Sequence, residues 1–237
     1  MFSPGRSWEQ VRTTIAYNNV NVKIIGAHSG ISVGPDGATH QALEDIALMR
    51  VVPNMIVVAP CDALEAERAT HALAEYVGPA YMRLAREKTA VITTSKTPFI
   101  IGKAEVYMEK VDAPHGVAII ASGTVLVEAL RAGKILNEKG IGATVVNMAT
   151  IKPLDEAMVL SLAKTHDFIV TVEEHQTAGG MGSAVAEFLS ETHPIKVVRL
   201  GVHDMFGQSG TQEELLAHYN LDAAAIVKTI LTELVDF

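Results

Sequence analysis

Short apolar runs rich in β-branched residues alternate with stretches of helical spacing along almost the whole chain, and that alternation leaves few folds open. Val20 to Ala27 reads as a buried strand. Helical spacing at Leu43, Ile46, Ala47 and Met49 then predicts a helix over Gln41 to Arg50. Met55 to Pro60 is the next strand. Asp62, with Glu65 three residues on, opens a helix that runs to about Tyr76. Pro79 to Leu84 gives a third strand. The order βαβαβ implies a parallel sheet covered by helices.

A second series follows a boundary at residues 87–103. Strands are expected at Val117 to Ala121, Ala143 to Met148, Phe168 to Val172 and Ile195 to Leu200. Helices are expected at Thr124 to Glu138, Asp155 to Lys164, Met181 to Leu189, Gln212 to Tyr219 and Asp222 to Leu234. The fold class is therefore α/β, with two parallel-sheet, helix-covered domains: residues 1–90, a linker at 91–103, and residues 104–237, the last of them doubly wound. The first part opens in a helix, Ser7 to Tyr17, and offers only three strands. Its sheet is expected to leave an edge uncovered, to be closed by a partner chain or by sequence upstream of Met1.

Composition removes several function classes. With 49% hydrophobic and 19% charged residues the chain can build a large core. The longest oily stretch, Gly116 to Val127, is too short to span a bilayer, and the N-terminus lacks a signal-peptide layout. A soluble cytoplasmic protein is expected. A single cysteine, Cys61, excludes an internal disulfide and a cysteine-cluster metal site; it is expected to pack as a small apolar residue. The net charge of −8 lies wholly in residues 99–237, since residues 1–98 hold nine basic and nine acidic side chains. That balance argues against nucleic acid and makes the first part, with Tyr81-Met82-Arg83-Leu84-Ala85-Arg86, the better host for an anionic ligand.

Ala27 to Gln41 is the most informative segment. It follows a parallel strand at its carboxyl end, where open α/β sheets bind ligands, and carries three glycines, His28, Asp36 and His40. Such side chains on a rigidly held loop can bond hydroxyls and a phosphate. The residues alone equally allow a surface loop in which glycines make turns and His40 caps a helix. No metal is predicted. His28 and His40 are twelve residues apart, with Asp36 as the sole local third ligand. There is no nucleophile elbow and no P-loop.

Gly5-Arg6-Ser7-Trp8-Glu9-Gln10-Val11-Arg12, the loop above, Leu43 to Met55, and Val172-Glu173-Glu174-His175-Gln176-Thr177-Ala178-Gly179-Gly180-Met181-Gly182 together resemble transketolase. More closely they resemble the C-terminal section found where transketolase is encoded as two chains. The resemblance covers essentially the whole chain. It implies a thiamine-diphosphate-dependent transfer of a two-carbon ketol unit between phosphosugars. In that arrangement this chain meets the aminopyrimidine end of the cofactor, and an N-terminal section, as partner, carries the diphosphate and Mg²⁺. Self-association is also implied. Residues 1–98 are similar to part of the pyrimidine-binding domain and residues 99–237 to the C-terminal domain.

Carried over residue by residue, the resemblance puts Phe2 where an aromatic ring stacks on the aminopyrimidine and His40 near the cofactor's amino group, able to help proton movement. His28 and Arg86 match the phosphate contacts, and Asp36 matches the aspartate that bonds the sugar hydroxyl next to the reacting carbon. Arg83 is the competing arginine on the same strand, and an ion pair with Glu87 is the plain alternative for Arg86. The family's activating glutamate belongs upstream of Gly5-Arg6 and is expected to be missing here; neither Glu9 nor Glu44 replaces it. The turn Gly179-Gly180-Met181-Gly182 is read as close helix–strand packing, Glu173 to His175 as a solvated strand end, and His203, Asp204 and Phe206 as a loop available for chain contacts. Rival readings are a 1-deoxyxylulose-5-phosphate synthase, the beta subunit of a 2-oxoacid dehydrogenase, and a non-catalytic scaffold.

Overall fold

The computed structural model describes residues 1–235. Along the chain the strands are β1 (Lys23–Gly26), β2 (Ile56–Val58), β3 (Ala80–Arg83), β4 (Glu105–Met108), β5 (Gly116–Ala121), β6 (Gly142–Asn147), β7 (Thr150–Lys152), β8 (Phe168–Gln176) and β9 (Val197–Val202). The α-helices are α1 (Phe2–Gly5), α2 (Trp8–Gln10), α3 (Asp45–Arg50), α4 (Ala63–Glu75), α5 (Leu126–Glu138), α6 (Glu156–Thr165), α7 (Met181–Thr192), α8 (Gln212–His218) and α9 (Ala223–Leu234). The strands form two sheets, in the orders β1-β3-β2-β7 and β4-β6-β5-β8-β9. Each sheet is parallel apart from one edge strand, β7 on β2 and β4 on β6. The α/β architecture of two mostly parallel sheets covered by helices is the one expected.

Local rules place the helices. Asp62 accepts the Glu65 amide at 2.8 Å and so caps α4, while the Glu65 side chain turns away to the Cys61 amide at 2.7 Å. Asp155 and Asp222 cap α6 and α9 in the same manner. The N-terminal helix expected over Ser7 to Tyr17 is present as α2 followed by a π-helical stretch, Val11–Ala16.

The two sheets share a core. Alternate residues of β5 divide between two packing layers: Val117 and Ile119 face α5, and Ala118 and Ile120 join Val159, Leu162, Met181 and Val185 of α6 and α7. The second layer continues into the first half through Ile46, Met49, Val57 and Tyr81. The chain itself crosses between the sheets. The Met148 amide still bonds to Ala121 of the second sheet, and one residue later the Ala149 carbonyl accepts from Ala59 beside β2. That crossing delivers β7 to the first sheet.

This closes the β2 edge from within the chain, a solution the strand count of the first part did not contain. β1 corrects another expectation. It is shorter than Val20 to Ala27 and half open, with Val20, Val22 and Ile25 exposed, because β3 is its one neighbour among the described residues.

One buried carboxylate beside the linker is satisfied at both oxygens. Asp62, the N-cap of α4, accepts from the amides of Ile92 and Thr93 and from the Thr93 hydroxyl, at 2.6–2.8 Å, as well as from Glu65. Burial pulls its pKa upward, but the hydrogen bonds to Thr93, Glu65 and Ile92 together outweigh that and hold the carboxyl below its ordinary 3.8. A depressed carboxyl contributes stability above its unfolded pKa and loses it as pH falls through the lower folded value. Asp62→Asn is therefore expected to cost about 2 kcal/mol at pH 7. The gap in urea midpoint from the parent protein should close as pH is taken below 3.8; a gap independent of pH would contradict the assignment.

Candidate functional site

The loop after β1 is held at its base like a short extra strand pair. Ser29 bridges Ala42 in parallel, the Gly30 amide bonds the Ala42 carbonyl at 2.9 Å, and the Ser29 amide bonds the Leu84 carbonyl at 3.2 Å. Between these anchors the chain makes a 3-10 turn, Ile31–Asp36, whose first four residues are buried and whose Pro35 and Asp36 are exposed. His28 has φ +63°. A non-glycine residue in that region is uncommon, is held only by its surroundings, and clusters at functional sites.

Five residues were expected at the site, and the structure brings four of them together as two pairs. Phe2, on α1, is half exposed and meets the His40 ring edge-on, with centroids 5.5 Å apart. The Arg6 guanidinium lies 5.1 Å from the centre of the Phe2 ring. His40 Nδ1 is 2.9 Å from the Thr39 hydroxyl. The second pair is Asp36 and Arg86, with Oδ2 and Nε 3.6 Å apart. Arg86 Nη1 also donates to the Val33 carbonyl at 3.1 Å and to Glu87 at 2.8 Å. The plain ion pair with Glu87 is thus real, and it coexists with the contact to Asp36. His28 shares the loop, and its carbonyl accepts the Ala42 amide at 3.3 Å.

Arg83 is the arginine that drops out. Its side chain is 5% exposed and engaged through two of its nitrogens: Nε pairs with Asp45 at 3.0 Å, and Nη2 donates to the carbonyls of Ala42 and Glu174 at 3.1 and 3.2 Å. Tyr81 donates to the same Asp45 oxygen at 2.7 Å. Burial pushes the Tyr81 phenol well up, the neighbouring Asp45 charge adding to it, so the hydroxyl stays protonated and donating. Arg83 holds the fold; Arg86 faces the surface.

The acidic run at the end of β8 is a second correction. Glu173, Glu174 and His175 are all buried, and β8 runs on to Gln176 because its end packs against the first half, the Gln176 amide bonding the Leu43 carbonyl. Glu173 accepts the amides of Met181 and Gly182 at 2.7 and 2.8 Å. The N-terminus of α7, which a glycine-rich turn would open to an anion, is thereby filled by the chain's own carboxylate. Gly180 is required for that approach, since an added Cβ would sit 2.6 Å from Glu173 Oε1. His175 bonds the Gln176 carbonyl through Nδ1 at 2.7 Å and accepts the Ala47 amide through Nε2 at 3.3 Å. Charge in sequence hid burial here; the glycines beside two glutamates were the available signal.

Cys61 is buried in the core, its thiol pushed up by burial, which leaves it unreactive. Among the described residues no group of three or more His, Cys, Asp or Glu side chains is arranged to hold a metal ion. No helix among them is long and apolar enough to cross a membrane.

Comparison with known proteins agrees with the fold in both halves. The family model for the transketolase pyrimidine binding domain matches residues 1–91, and that for the transketolase C-terminal domain matches residues 106–226. A Methanocaldococcus jannaschii protein described as a transketolase C-terminal section is 46% identical over 237 residues, which cover 99% of this chain and 73% of that protein. A 1-deoxy-D-xylulose-5-phosphate synthase of Methylococcus capsulatus is 42% identical over 228 residues, covering 95% of this chain but 34% of that enzyme. The solved structure of a split-gene transketolase, an inactive β4 tetramer, superimposes with a TM-score of 0.86 at 40% identity, covering 98% of this chain and 72% of that one. With both domain models matched in sequence order and a C-terminal section aligned over 99% of this chain, this chain belongs to the transketolase family and corresponds to its C-terminal section.

Proposed function

We propose that the chain forms half of a thiamine-diphosphate-dependent transketolase, moving a two-carbon ketol unit between phosphorylated sugars together with an N-terminal section. The observation that carries this reading is the arrangement of the loop after β1. At its far end stands an exposed aromatic–imidazole pair, and in its middle a carboxylate–guanidinium pair.

Phe2 and His40 fit the aminopyrimidine in chemical terms. A half-exposed phenyl ring offers a flat apolar surface, and the neighbouring imidazole offers a polar edge. The cofactor, when bound, supplies the carbanion chemistry that a protein side chain cannot. This chain's part is to hold and to position. With Nδ1 beside the Thr39 hydroxyl, His40 keeps Nε2 for the ligand, where it can hold or pass a proton. Asp36 accepts a hydrogen bond from the sugar hydroxyl. His28 and Arg86 receive the phosphate, and the protein bonds to Arg86 use Nε and Nη1, so Nη2 is the donor left for it.

Neither Glu9 nor Glu44 is given the activating role. Glu9 is bonded to Gln10 and Thr13, and Glu44 to the Leu43 amide. The proposal places that carboxylate outside residues 1–237, so these residues by themselves are expected to be inactive. Among the described residues no three His, Cys, Asp or Glu side chains gather to hold a metal ion, and the proposal assigns Mg²⁺, with the diphosphate, to the N-terminal section.

Arg86→Ala is expected to raise the KM for phosphorylated sugars about tenfold or more, the loss of one charge-assisted contact of about 1.5–3 kcal/mol. Unphosphorylated sugars should be little affected. Steady-state kinetics on matched sugar pairs decides it, and equal losses on both would make the phosphate assignment wrong.

A further inference from the structure

The loop bearing His28, Asp36 and His40 belongs to the first half of the chain, yet much of what holds it comes from the second. Glu174 on β8 is 5% exposed and reaches across the junction. Its Oε2 accepts the Ser32 amide at 2.8 Å, and its Oε1 accepts the Thr124 hydroxyl at 2.7 Å. Ser32 stands near the start of the 3-10 turn Ile31–Asp36, whose last residue is Asp36. The carboxylate therefore sits on the open amide end of the turn, where a negative group is favoured.

The approach is close enough to dictate sequence. Gly30 has φ +77°, and a Cβ there would lie 2.7 Å from Glu174 Cβ. Only glycine satisfies both conditions. The Glu174 carbonyl accepts from Arg83, which also grips Ala42 at the loop's end. A third tie runs through buried Gln41, whose Nε2 donates both to Ile31 within the loop and to Gln208 of the second half, at 2.9 and 3.0 Å.

We propose that Glu174 is a positioning residue: its carboxylate sets the Ile31–Asp36 turn, so that the second half of the chain orients Asp36 and, through the Asp36–Arg86 pair, the sugar-binding groups of the first half. The functional consequence rests on the transketolase reading above; the structural part does not. Charge-assisted hydrogen bonds withdrawn from water are the strong ones, and a loop tied by them is restrained by the sheet that supplies them.

The experiment compares Glu174→Met with Glu174→Gln in the complete chain. Glutamine keeps an acceptor for Ser32 and can donate to the Thr124 hydroxyl, so it should preserve the turn; methionine makes neither contact. Amide hydrogen exchange in Glu174→Met should quicken about tenfold or more over residues 28–43 while residues 116–121 keep their protection, and Glu174→Gln should behave as the parent. In the chain assembled with its N-terminal section, with the activating carboxylate supplied, the KM for phosphorylated sugars should rise about tenfold in the methionine variant and stay unchanged in the glutamine one.

Unchanged loop exchange in Glu174→Met overturns the proposal, as does equal loss of protection in the loop and in β5. A loosened loop with an unaltered KM, in a pair that transfers ketol groups, overturns it too. If Glu174→Met does not fold, Thr124→Val removes the hydroxyl that orients the carboxylate, and unchanged loop exchange there has the same consequence. Should the parent pair, with the activating carboxylate supplied, transfer no ketol group at all, the functional reading fails while the exchange arm still decides the role of Glu174.

Discussion

Replacing Arg83 by methionine is expected to destabilise the fold by about 3–5 kcal/mol. The side chains of Arg83 and Asp45 are 5% and 2% exposed, so the substitution leaves a carboxylate buried without its cation. It also removes the Nη2 donor from the Glu174 carbonyl and leaves the Ala42 carbonyl with the Gly30 amide alone. Methionine fills much of the volume, so the loss is electrostatic rather than a cavity. Replacing Asp45 by leucine in the same chain should recover part of the stability, because an apolar pair in place of a buried ion pair is often neutral. Urea denaturation of the single and double variants measures both effects. A single variant within about 1 kcal/mol of the parent would show that the cluster contributes little.

Asp36→Ala is expected to lower kcat/KM for ketose donors by about ten- to a hundredfold while leaving the denaturation midpoint near that of the parent, since Asp36 is exposed. Its contact with Arg86 adds a second consequence. In the absence of sugar each of the two partly satisfies the other, so Asp36→Ala and Arg86→Ala should combine to less than the sum of their separate effects. A double-mutant cycle on kcat/KM reads this directly. Strict additivity would mean that the two residues act on the sugar independently, and a fall in midpoint matching the fall in activity would make Asp36 a structural residue.

The parallel core strands were legible in the sequence for a physical reason. A strand buried on both faces is a continuous apolar run, and β5 and β6 are buried throughout. β4 and β7 were not legible. They are four and three residues long and carry Glu105 and Lys152, so neither length nor periodicity marks them. What makes β7 a strand is an edge near residue 58, far back in the chain, and no local pattern encodes that partner.

The candidate site divides in the same way. Glycines, histidines and an aspartate at a strand's carboxyl end marked the loop, but its residues alone did not separate a ligand site from a surface turn. The pairing of Phe2 with His40 and of Asp36 with Arg86 joins residues tens of positions apart; the family resemblance supplied the members, and the fold shows the contacts. Glu173, Glu174 and His175 were missed because a charged run ordinarily faces water. The turn into α7 brings the amides of Met181 and Gly182 back to Glu173, while those of Ser32 and Ala47 become neighbours of Glu174 and His175 only when the two sheets meet.

The most direct test mixes this chain with an N-terminal transketolase section, thiamine diphosphate and Mg²⁺, and follows carbon from a phosphorylated ketose to an aldose phosphate. The account predicts no transfer by residues 1–237 alone and two-carbon transfer by the pair, provided an activating carboxylate is supplied. Formation of 1-deoxy-D-xylulose 5-phosphate, without ketol transfer, would assign the chain to the synthase branch that the Methylococcus capsulatus relative represents. No turnover of either kind, with the carboxylate supplied, would contradict the catalytic reading altogether.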